Sequence, residues 1–203
     1  WAVEASGSRA FAGVGAFNLV RRGMLSKTPG FEWLRLEVAD DVGLGMMVKQ
    51  CGGRSVLANA RDLVSVTWYP TFAAAARGAE KGFASIGHCS VPRMLLISAT
   101  VPILELGPLI ALILAWLPFP YGIPGLWPAA AIMLVAAVSS IAIVSRWSGR
   151  RLLPGLLMPV AALTSTYLLL RTAWLGWRRG GIVWRDTLYP SRLLRGNLRV
   201  RIP

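Results

Sequence analysis

From Trp127 to Ser145 the chain carries no charged residue, and from Leu95 to Leu117 it carries one, Glu105. Each run matches the roughly 20 apolar residues that an α-helix needs to cross a bilayer. These stretches constrain the fold more than any other feature. A third run, Leu152 to Leu170, is also uncharged and ends at Arg171. The prolines inside the runs, Pro102, Pro108 and Pro159 among them, are compatible with lipid because neighbouring helices can satisfy the carbonyls they free. Spans are therefore expected at about 95–117, 127–145 and 152–173. Composition agrees, with 55% hydrophobic and only 15% charged residues, against about a quarter charged in a soluble domain.

The charges that remain are mostly positive, 22 Lys and Arg against 9 Asp and Glu, for a net charge of +13. The linker "PFPYGIPGLWP", Pro118 to Pro128, is uncharged and aromatic, whereas "RWSGRR", Arg146 to Arg151, is basic. The positive-inside tendency puts the first outside and the second in the cytoplasm. Arg77, Lys81 and Arg93 place the N-terminal half in the cytoplasm as well. Three full crossings would then leave the Arg-rich tail, Trp177 to Pro203, on the outside, against the same rule. A re-entrant or interfacial segment between Leu152 and Leu175 removes the conflict and leaves two crossings. The expectation is an integral protein of a bacterial inner membrane with its chemistry on the cytoplasmic side. Because spans and sidedness account for the basic residues, nucleic acid is not an expected partner.

The chain begins at Trp1 and shows no signal-type leader, so a segment of a longer protein is expected. Cys51 and Cys89 stand far apart without a second pair, which fits neither a disulfide framework nor a zinc site; both read as small buried hydrophobes in a reducing compartment. Glu105, an intramembrane carboxylate, is a functional candidate by its cost, set against a simple hydrogen bond to backbone freed by the flanking prolines. The single histidine, His88, reads as an interfacial hydrogen-bonder.

Ahead of the spans, "AGVGAFNLVRRGML" reads as a short buried strand in which Gly13 and Gly15 let backbone approach closely, for phosphate or for packing. "SKTPGFEWL" is a turn. In "EVADDVGLGMMVKQCGGR", Leu44, Met47, Val48 and Cys51 recur at helical spacing after Asp40 and Asp41, and Gly52 and Gly53 end the helix. One Asp suffices as an N-cap; the second is then available for a substrate hydroxyl, a metal or a basic partner. "RSVLANARDLVSVTWYP" reads as two β-type runs. "PTFAAAARGAEKGFASIGH" reads as an Ala-rich interfacial helix with Phe72, Ala76, Ala79 and Phe83 on one face and Arg77, Glu80 and Lys81 on another.

The order "GVGAFNLVRR", Gly-Phe turn, "EVADDVGLGMMVKQCGGR", "VSVTWYPTF…RGAEKGF", membrane spans and "GGIVWRDTLYP" resembles the C-terminal part of the membrane-bound family 2 glycosyltransferases, which have a GT-A fold. The likeness covers about residues 9–90 and 180–190. It implies an inverting transferase that moves a sugar from a nucleotide-sugar donor to a lipid or membrane-associated acceptor. Asp41 would be the general base and Asp40 its positioning neighbour. Arg77 and Lys81, where Glu80 and Lys81 depart from the family's Arg-Trp, would offset diphosphate charge, with Trp184 and Arg185 completing that substrate-binding set. Asp186 stands where the family has Gly. The resemblance further implies a divalent metal, Mg or Mn, in the full-length protein, with no ligand set assignable in this chain, and an upstream donor-binding half without which this part alone is inactive.

The expected fold class is α+β with a membrane region, mostly α. It comprises a partial GT-A half-domain over 1–70, an interfacial helix over 71–92, two to three transmembrane helices over 93–176, and a basic tail over 177–203. The reading from another class is a non-enzymatic polytopic membrane protein whose basic cytoplasmic face binds anionic lipid, with Asp40 and Asp41 as helix caps.

Overall fold

The computed structural model describes residues 3–5, 9–60, 63–117, 123–149, 151, 153–184 and 186–200. It is mostly helical: α1 (Arg22–Leu25), α2 (Asp40–Gln50), α3 (Phe72–Ile86), α4 (Val91–Trp116), α5 (Trp127–Ser148), α6 (Leu153–Leu156), α7 (Met158–Arg179) and α8 (Ser191–Asn197). The sheet among the described residues is a two-stranded antiparallel hairpin, β1 (Gly181–Trp184) and β2 (Thr187–Pro190). The chain divides into two compact units, Trp1–Met94 with Thr172–Pro203, and Leu95–Arg171.

In the second unit α4 and α5 are long and apolar enough to cross a membrane. Their apolar side chains point outward: Ile103, Leu104, Ile132, Val135 and Ile143 are each 66–70% exposed. A helix that is apolar on every face and not covered by protein is suited to lipid. Gly149, in the left-handed conformation at φ 66°, ends α5 as a C-terminal glycine commonly does. The third expected span does not form one apolar helix. It is broken at Leu157 into α6 and α7, and the latter carries Arg171, Arg178 and Arg179. Glu105 is half-buried on α4.

The first unit has a core of Val38, Ala84, Cys89, Met94, Ala173, Ile182 and Leu194. These residues come from both ends of the chain, so the tail is an integral part of this unit. Two polar ties fix it there. Glu37, only 4% exposed, accepts the backbone N–H of Arg199 at 2.7 Å and of Val200 at 3.0 Å on Oε2, and that of Ala39 at 3.1 Å on Oε1. Glu80, also 4% exposed, accepts from the Arg179 guanidinium at 3.2 Å and from the Val183 N–H at 3.3 Å.

Several local expectations are corrected. Residues 11–20 and the described part of 54–70 form no strand, and their apolar side chains stay exposed: Leu19 by 88%, Val56 by 71%, Trp68 by 61%. An extended run needs a neighbouring strand to pair with, and among the described residues neither run joins a sheet. The buried stripe of α3 is Ala76, Glu80 and Ala84 rather than Phe72, Ala76, Ala79 and Phe83. Glu80 turns inward because Arg179 and Val183 supply its partners, which offsets the cost of burying a charge. Finally, neither acid caps α2: the N-cap is Ala39, which has no side-chain bond, and Asp40 and Asp41 form the first turn.

Candidate functional site

The first unit encloses a cleft of about 1190 Å³ whose lining includes Asp40, Asp41, Lys81 and Trp184. Each wall follows from local sequence. The α2 wall exists because small residues let an irregular segment lie against the helix start. A Cβ on Gly13 would fall 1.8 Å from the Asp41 carbonyl oxygen, and one on Gly45 would fall 2.0 Å from that of Ala12. The Gly13 and Gly15 approach thus serves packing against α2. Gly15 also leaves room beside the Asp41 carboxylate, since a Cβ there would sit 3.0 Å from Oδ2.

The α3 wall begins at Thr71, whose hydroxyl accepts the Ala74 N–H at 3.2 Å and caps a helix of good formers. Gly78 on this helix takes the Tyr69 ring in contact so close that a Cβ would meet the phenol oxygen at 2.1 Å. Tyr69 in turn meets Trp68 edge-on, with centroids 6.5 Å apart.

The hairpin supplies the third wall. In its register Ile182 faces Tyr189 and Trp184 faces Thr187. Alternation along a strand then puts Ile182, Trp184 and Tyr189 on one face, and all three line the cleft. The Trp184 and Tyr189 rings lie 6.0 Å apart. Asp186 lies in the short turn at φ 63°, a conformation that Gly adopts freely and Asp tolerates.

Lys81 joins the three walls. Its Nζ donates to Asp40 Oδ1 at 2.8 Å and lies 4.2 Å from the centroid of the Trp184 ring. The pair is part-exposed, 25% for Lys81 and 50% for Asp40, so its energetic weight is that of a screened ion pair, about 1 kcal/mol or less; its effect is positional. Asp41, half-buried, has no side-chain partner among the described residues. The doublet is therefore unequal: one carboxylate is engaged by a cation and the other is open to the cleft.

Of the remaining expected site residues, Arg77 is exposed and does not line the cleft, and Arg185 lies outside the described residues. Among the described residues no cluster of three or more His, Cys, Asp or Glu side chains could hold a metal ion. The resemblance assigns no ligand of its divalent metal to this chain, and Asp40 and Asp41 alone, with Asp40 on Lys81, do not make such a cluster.

Sequence reasoning missed the aromatic lining from Trp68, Tyr69 and Tyr189, and it missed Glu37, which ties the tail beside α2. A Trp-Tyr-Pro run directly before a capped helix was the available signal for the first two residues. No protein-family model, curated protein or solved structure matches the chain.

Proposed function

We propose that the cleft is the acceptor side of an inverting glycosyltransferase of GT-A type, with Asp41 as general base. The observation that supports this most is convergence. Asp40 and Asp41, Lys81, and Trp184 come from three separate motifs of the resemblance, and they line one cleft in which the Lys81 ammonium joins Asp40 to the Trp184 ring. In this reading Asp41 accepts the proton of an acceptor hydroxyl as its oxygen attacks the anomeric carbon of a nucleotide-sugar, inverting it and expelling the nucleoside diphosphate. A hydroxyl is a poor nucleophile until a carboxylate takes its proton in the transition state.

Lys81 acquires a different role from the one expected of it. By holding Asp40 it keeps a second free carboxylate from competing for the hydroxyl, and it anchors Trp184 as part of the acceptor platform. Trp68, Tyr69, Trp184 and Tyr189 offer faces on which a sugar ring or an apolar lipid body can lie. The acceptor class is therefore an amphipathic hydroxyl compound, lipid or membrane-associated.

The test is Asp41→Asn in the full-length protein in membranes, assayed for transfer from nucleotide-sugars. The expected result is a fall in rate of about 10² to 10⁴. Transfer near the wild-type rate would refute the assignment of Asp41.

A further inference from the structure

The first unit holds a second cavity, of about 430 Å³, lined by His88, Ser90, Arg93, Arg195 and Leu198. Two arginines, a histidine and a serine line it, and among the described residues its lining contains no carboxylate. The two arginines are far apart in sequence, Arg93 in the first turn of α4 and Arg195 on α8, and they line one cavity because the tail folds back into this unit.

Bringing two cations together without an acid opposes folding unless an anion joins them. The Glu37 carboxylate, which like Arg195 acts on the neighbouring Cys89 thiol, is already occupied by three backbone N–H groups. Arg195 is exposed and has no side-chain partner among the described residues. Arg93 donates one N–H to His88 Nδ1, which engages one of the five N–H donors of the guanidinium.

The backbone that builds the cavity is unusual. His88 and Cys89 are both left-handed, at φ 51° and 53°, a conformation that residues other than glycine seldom adopt. Local hydrogen bonds hold them there: the His88 N–H donates to Ser85 O at 2.9 Å and the Cys89 N–H to Ala84 O at 2.7 Å. Consecutive residues of this kind are characteristic of sites where geometry matters. The helix that begins at Val91 adds the positive end of its dipole. Arg93 also directly precedes in sequence the apolar run of α4, and basic residues beside such a run are suited to anionic lipid headgroups.

We propose that this cavity binds a phosphate group, carried either by an anionic phospholipid or by a soluble phosphate. Paired guanidinium groups match the oxygens of a phosphate in bidentate fashion. The site is distinct from the cleft and stands whether or not the cleft transfers sugar.

The test is native mass spectrometry of the full chain from detergent doped with equal phosphatidic acid and phosphatidylcholine, with a parallel titration by inorganic phosphate. The expected result is preferential retention of one phosphatidic acid, or saturable phosphate binding, reduced about tenfold or more in Arg195→Gln and in Arg93→Gln. Arg192→Gln removes the same charge from the same helix outside the cavity and should leave binding unchanged. Displacement of the lipid by inorganic phosphate assigns the site to the phosphate group from either source; retention of the lipid assigns it to the phospholipid; binding of inorganic phosphate alone assigns it to a soluble ligand. Should Arg93→Gln fail to fold, the exposed Arg195 carries the test. No selective binding by the wild type, or equal loss in Arg192→Gln, would overturn the proposal.

Discussion

At the scale of single residues, Cys89 shows how burial sets chemistry. It is 1% exposed in the core of the first unit, and burial pushes its thiol up to about 11; the negative charge of Glu37 adds to this and the Arg195 guanidinium opposes it. The sign of the linkage follows. The unfolded chain loses this proton near 9 while the folded chain keeps it to about 11, so stability is unaffected below pH 9 and falls as pH rises from 9 toward 11. Native Cys89 should therefore resist iodoacetamide at pH 8, while half-buried Cys51 reacts first; peptide mapping after alkylation reads the two sites separately. Equal labelling at pH 8 would show that the thiol is not enclosed. The burial of Cys89 was legible in the sequence, since an unpaired cysteine is usually a small hydrophobe. The difference between Asp40 and Asp41 was not, because it depends on Lys81, a residue from another helix. Helical spacing located the doublet at the start of α2, yet the cap fell to Ala39.

At the scale of elements, legibility tracked whether an element's partner is local. Helix α3 is encoded by its own alanines and by Thr71, and α5 by an uncharged run closed by a glycine. Strands need a partner elsewhere, so the β-type runs around Leu19 and Val56 misled, while the real hairpin hid behind four-residue strands and an Asp turn. Glu80 is the clearest case. Spacing placed it on the polar face with Arg77 and Lys81, and only the return of Arg179 and Val183 makes an inward position stable. Glu80→Ala should cost about 1.5–3 kcal/mol, the range for hydrogen bonds to a charged group. Glu80→Gln, which keeps an acceptor for the Val183 N–H, should cost less. Denaturant unfolding gives the order, and hydrogen exchange at the Val183 amide should quicken most in the alanine variant. Wild-type stability and exchange in both variants would mean that the hairpin is held by apolar packing alone.

At the scale of the whole molecule, two helices long and apolar enough to cross a membrane were legible from charge and run length, but sidedness was not, because three apolar runs and an Arg-rich tail gave conflicting answers. The structure bears on that conflict through the first unit. Residues before α4 and after Arg171 share one core, with Val38, Ala84, Ala173, Ile182 and Leu194 in a single buried cluster. Parts of one core cannot lie on opposite faces of a bilayer, so the chain between them must cross an even number of times. The two helices long and apolar enough to span, α4 and α5, would supply that number, and the positive-inside tendency would then put the basic residues at both ends together on the cytoplasmic side. The prediction concerns single cysteines placed in a Cys51→Ala background at Lys27, at Gly125 and at Arg192, all exposed. An impermeant maleimide added to intact cells should label Gly125→Cys and spare Lys27→Cys and Arg192→Cys until the membrane is opened. Labelling of Arg192→Cys without Lys27→Cys would require a third crossing and would contradict a core shared by both ends of the chain.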